Sequence, residues 1–97
     1  MTNKSKLRSD AQRTLLRVLD FGKILCIKNC EKAWIIEMPE LTFQLRTCSQ
    51  LIRANLIRMA YKDENDPEEK VYYTISNEGR AYMNKIKLRK DYARTKE

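Results

Sequence analysis

The chain has no histidine, only two glycines and two prolines, and an odd number of cysteines in 97 residues. Without histidine it lacks the usual side chain for proton transfer near neutral pH, which argues against acid–base catalysis. Gly22 and Gly79 stand alone, so no glycine-rich phosphate loop exists. Three cysteines cannot form a fully paired disulfide framework, and Cys26, Cys30 and Cys48 lack the spacing of a zinc site. Cys26 and Cys48 read as core fillers, and Cys30 as a thiol in an exposed turn. No apolar run approaches the roughly 20 residues of a membrane span. The polar start, Met1-Thr2-Asn3-Lys4-Ser5-Lys6, leads into no signal-peptide core. These absences predict a cytoplasmic protein without membrane association, metal, cofactor or catalysis.

What remains is enough for one small domain. The composition is 42% hydrophobic and 34% charged, which favours a folded chain over a disordered one. The net charge is +7, unevenly spread. Residues 1–23 sum to +4, residues 24–60 to +2, residues 61–74 to −3 and residues 75–97 to +4. A basic surface attracts polyanions by steering and counterion release, so nucleic acid is the first partner class suggested. Solubility alone is the plainer explanation of the same charge.

Residues 1–8 read as a flexible basic arm, 9–92 as the folded domain and 93–97 as a frayed tail. Ser9 and Gln12 have capping-box spacing, and Ala11, Leu15, Val18 and Leu19 recur at helical steps. Gly22 is placed to end that helix in the left-handed conformation. Ile24–Ile27 and Ala33–Met38 predict a hairpin, with Trp34, Ile36 and Met38 on one face and Pro39 ending the ladder. A second helix is expected from Thr42 to Ala54, with Leu41, Leu45, Cys48, Leu51 and Ile52 inward. Asn55 is suited to its left-handed end. Leu56–Tyr61 and Val71–Ile75 read as strands around an acidic loop. Ser76 caps a last helix that has Glu78 in its first turn. The expected fold class is α+β, in the order helix, hairpin, helix, strand, wing, strand, helix.

Two segments carry a family resemblance: Leu51-Ile52-Arg53-Ala54-Asn55-Leu56-Ile57-Arg58, and Val71-Tyr72-Tyr73-Thr74-Ile75-Ser76-Asn77-Glu78-Gly79-Arg80-Ala81. Together they resemble winged-helix transcriptional regulators over about residues 42–83. In that family a recognition helix turns into a Leu-Ile wing strand, and the second wing strand leads to a helix start containing Gly-Arg. The Thr74-to-Gly79 spacing is looser than in the tightest family versions. The additional helix usual before the recognition helix is replaced here by the hairpin. A shorter likeness, Gln12-Arg13-Thr14-Leu15 followed by Gly22-Lys23-Ile24, is similar to a small topoisomerase-directed bacterial toxin family.

The resemblance implies sequence-specific binding to double-stranded DNA, transcriptional regulation and no reaction. Gln44, Thr47, Gln50 and Arg53 would face base edges, where Arg can pair with guanine and Gln with adenine. Arg13, Arg17, Arg46, Lys62 and Lys70 would meet phosphates. Tyr82, Ile86 and Arg89 on the last helix would form a homodimer, so that paired helices match paired half-sites. Asp63, Glu64, Asp66, Glu68 and Glu69 in the wing oppose this reading, because carboxylates repel a phosphate backbone. The second class of function is a protein-interaction adaptor or inhibitor of a nucleic-acid enzyme, acting through Trp34 or the acidic loop.

Overall fold

A computed structural model describes the backbone of residues 10–95 and the side chains of residues 10–86. Ser9, the basic arm and residues 96–97 lie outside the described residues. The order is α1 (Asp10–Asp20), β1 (Leu25–Lys28), β2 (Lys32–Ile35), β3 (Met38–Phe43), α2 (Leu45–Arg53), β4 (Ile57–Lys62), β5 (Lys70–Ile75) and α3 (Asn77–Thr95). The strands form one antiparallel sheet in the order β3-β2-β1-β5-β4. The chain is thus a small α+β domain with five strands, one more than expected.

The extra strand comes from the Ala33–Met38 run, which is not a single strand. The chain turns at Ile36 and Glu37, so that Ile35 pairs with Met38 and Trp34 with Thr42. Glu37 takes a φ of 80° and Ile36 does not have a positive φ, so the left-handed residue is the second of the two, as in a type II turn. Neither Gly nor Asn marks the spot, and alternation continues through the turn, so the residue pattern concealed it. Two further corrections follow. Pro39 lies inside β3 instead of ending the ladder; β3 is an edge strand, where a missing amide hydrogen is tolerated. Thr42 and Phe43 belong to β3, and α2 starts at Leu45.

Local signals held at the helix ends. Gly22 has a φ of 97° after α1, and Asn55 has 61° after α2. The N–H of Leu56 donates to the Leu51 carbonyl and that of Asn55 to the Ile52 carbonyl, each at 3.0 Å. This is the Schellman arrangement, and it carries Leu51 and Leu56 together into the core. At the start of α3, Ser76 Oγ accepts the Gly79 N–H at 2.9 Å and donates to the Asn55 carbonyl. A Cβ on Gly79 would lie 2.1 Å from the Leu56 carbonyl oxygen, so glycine is required for this approach. One buried latch therefore joins the end of α2 to the start of α3.

All three helices share a single core with one face of the sheet. Leu15, Leu16 and Leu19 of α1, Cys48 and Leu51 of α2, and Met83 of α3 pack with Leu25, Ala33, Ile35, Ile57 and Ile75. In α1 the buried side is Gln12, Leu15, Leu16 and Leu19, while Ala11 is exposed. The expected apolar stripe was rotated by about one residue there. By alternation, the opposite sheet face holds Cys26, Lys28, Trp34, Arg58, Tyr72 and Thr74, and no helix covers it among the described residues.

Candidate nucleic-acid interface

The exposed side of α2 is built by elimination. Thr47, Cys48 and Leu51 are buried, while Leu45 and Ile52 are half-buried against the core. At 100° per residue this leaves Arg46, Ser49, Gln50 and Arg53, all exposed, on one continuous strip. The helix contains no carboxylate, so positive charge at both ends of the strip is not neutralised within it. Gln44 is exposed as the residue preceding the helix, with extended backbone angles.

Of the four residues expected to meet bases, Gln50 and Arg53 therefore share the strip and Gln44 stands at its end. Thr47 does not: it is 6% exposed and faces the core. Its hydroxyl is compatible with that place because a threonine can bond within its own helix, and no buried side-chain polar atom among the described residues lacks a partner. Ser49 was missed. The spacing of Arg46, Ser49, Gln50 and Arg53, which is three, one and three residues, was a readable signal for it.

Gln50 is also held in place. Gln12, which is buried on α1, donates its side-chain amide to Gln50 Oε1 across 38 residues of sequence. Gln12 thus acts between helices; Ser9, its partner in the expected capping box, lies outside the described residues. The bond occupies one lone pair of the Gln50 carbonyl and leaves its amide hydrogens available for donation. A side chain already fixed loses less entropy when it binds.

The expected phosphate contacts are dispersed. Arg46, Arg13, Arg17 and Lys62 are exposed. Arg13 forms an ion pair with Asp10 within α1. Lys70 is less available: Glu68 lies 3.2 Å from its Nζ and also 3.5 Å from that of Lys28. The Glu68 contact raises the Lys70 pKa, and the Lys70 hydrogen bond lowers that of Glu68.

The acidic loop has internal work. Asp63 Oδ1 accepts the Asn65 N–H at 3.0 Å, and Asp66 accepts the Glu68 N–H at 2.9 Å and that of Lys70 at 3.4 Å. Three of its five carboxylates thereby organise the β4–β5 connection or pair with lysine.

The remaining surfaces change in part. Trp34, Ile36 and Met38 do not form one face: Trp34 is on the outer sheet face, Ile36 is in the turn and Met38 packs against the core. Tyr82 also packs against its own core, which commits it within the domain, and Ile86 is half-buried. The Arg89 side chain lies outside the described residues. Cys48 is in the core, where burial pushes its thiol up to about 11. Cys26 is also fully buried, on the other sheet face, and burial raises its thiol as well. Cys30 is exposed in the β1–β2 turn.

Among the described residues no group of His, Cys, Asp and Glu is placed to hold a metal ion. No helix among them is long and apolar enough to cross a membrane. No family model, curated protein or solved structure matches the chain.

Proposed function

We propose that this chain binds double-stranded DNA through α2, as a winged-helix-like transcriptional regulator that catalyses no reaction. The observation that carries this reading is the exposed, carboxylate-free strip Arg46–Ser49–Gln50–Arg53 on a helix whose other side is buried. Arg donors and a pre-positioned Gln amide match the acceptors at base edges in the major groove. The β4–β5 hairpin directly after α2, together with the pairing of β1 with β5, is the arrangement a wing requires. Lys62 at its base would meet a phosphate, while the acidic tip points away from the duplex.

A cytoplasmic homodimer suits this role, because two α2 helices would read two half-sites. The 19-residue α3 is longer than the 11-residue α1 on which it packs. That difference supports a contact between copies through Ile86.

The test is a titration of duplex DNA at several salt concentrations, first with random and then with selected sequence. Arg53→Ala is expected to cost roughly 1–3 kcal/mol in base discrimination without loss of the fold. Arg46→Ala should weaken all duplexes alike and flatten the salt slope by about 1. Unchanged affinity and unchanged preference in both variants would remove α2 from the interface.

A further inference from the structure

The outer sheet face carries a row of aromatic side chains that no helix covers among the described residues. The register places Thr42, Trp34, Cys26, Tyr72 and Tyr61 side by side on β3, β2, β1, β5 and β4. Trp34 and Tyr72 are half-buried, while Tyr61 is 58% exposed. The Tyr61 and Tyr72 rings lie 5.9 Å apart and are tilted by 33°. Two inter-strand steps, roughly 10 Å, separate Trp34 from Tyr72. Beside Trp34 an open depression of about 500 Å³ is walled by Glu31, Lys32, Ala33, Pro39, Thr42 and Phe43.

Cations border this row on both sides. Lys28 pairs in register with Lys32 and with Lys70 on one side, and Arg58 stands opposite Thr74 on the other. Glu68 offsets one of those charges through its pairs with Lys28 and Lys70. Asp66 also acts on Cys26 and Lys70, and Glu31 lines the depression, so these seven side chains sum to +1. Aromatic faces bordered by cations match the two chemical parts of an unpaired polynucleotide strand: flat bases and a phosphate backbone. A duplex cannot use such a surface, because its bases are stacked on one another.

We propose that this face binds single-stranded nucleic acid, with bases stacked on Trp34 and on the Tyr72–Tyr61 pair and phosphates against Lys32 and Arg58. Cys26 lies between the two stacking positions and keeps the floor apolar. The site is on the opposite side of the sheet from the helices, so it does not depend on the duplex reading of α2.

Trp34 is the only tryptophan, so its fluorescence reports on this face alone. The intact protein is titrated with short oligothymidylate, oligouridylate and a mixed-sequence duplex, at low and at physiological salt. Both single strands should quench Trp34 saturably, and the duplex should not; a preference between the two would identify DNA or RNA as the source. Tyr72→Ala should weaken single-strand binding about tenfold or more. Tyr61→Ala, on an edge strand, provides the same test should Tyr72→Ala disturb the fold. Lys32→Gln should flatten the salt dependence by roughly 0.7. Arg46→Ala/Arg53→Ala should leave the quenching intact, whether or not it abolishes duplex binding. No quenching at low salt overturns the proposal, as does equal quenching by the duplex. A blue shift of Trp34 with protein concentration alone would also overturn it, by assigning the face to a second copy of the chain.

Discussion

The two faces of the sheet use the same alternating backbone for opposite ends. The inner face presents Leu25, Ala33, Ile35, Ile57 and Ile75 to three helices, and each of those residues is nearly or fully buried. The outer face presents Lys28, Arg58, Trp34, Tyr61 and Tyr72, with only Cys26 fully buried among them and the Cys30 turn beyond. Large side chains occur on both, so residue size does not distinguish them. What distinguishes them is whether other elements deliver apolar surface to meet them. The inner face is where stability resides, and among the described residues no helix covers the outer face.

The comparison breaks most readily in paired truncations. Leu25→Ala should cost about 2–5 kcal/mol, because a fully buried leucine leaves a cavity that packed helices cannot close. Tyr61→Ser should stay within about 0.5 kcal/mol, the usual range for surface changes. Urea unfolding of both variants measures the difference. Equal losses would mean that the outer face is covered and load-carrying in solution.

Alkaline unfolding sharpens the contrast between the two buried thiols. An unfolded cysteine ionises near 9.0, while burial keeps Cys48 protonated to about 11. Between those values the folded state retains a proton that the unfolded state has released, so stability falls as pH rises. The slope is about 1.4 kcal/mol per pH unit for one group. Cys48→Ala should flatten that decline over pH 9–11 in denaturant titrations. Cys26 contributes in the same direction, since burial raises it too. Should Cys26→Ala flatten the curve more than Cys48→Ala, the outer layer is the better shielded one.

A third change touches neither face and sets the scale. Asn29 and Cys30 have φ values of 55° and 54°, and the Glu31 N–H closes the turn on the Lys28 carbonyl at 2.9 Å. Asn-Gly is the preferred pair for such a turn, because glycine adopts positive φ without a steric cost. Cys30→Gly is expected to stabilise the protein by up to about 1 kcal/mol, read as a rise in melting temperature. A fall would show that the Cys30 side chain contributes packing across the turn.

Single residues made parts of this fold legible. Gly22, Asn55 and Ser76 mark helix boundaries because their φ tolerance or side-chain oxygen acts within a few residues of chain. The aromatic and branched run Val71–Ile75 marks a strand for the same local reason. The Ile36–Glu37 turn was illegible because its left-handed residue is a glutamate. In the candidate site, Gln50 and Arg53 could be placed from helical spacing. The same reasoning misassigned Thr47, since one residue of phase decides which side chain enters the core.

Sequence alone determined the α+β class, the positive charge, the lack of histidine, the C-terminal ends of α1 and α2 and the start of α3. Only the tertiary structure decided that Gln12 would hold Gln50, that Asp63 and Asp66 would tie the acidic loop, and that Tyr82 would pack inward. It also aligned Trp34, Tyr72 and Tyr61 across the sheet. Helix caps and turns depend on torsions and partners a few residues apart. The Gln12–Gln50 bond and the aromatic row join residues distant in sequence through strand register and helix packing, which no local pattern specifies.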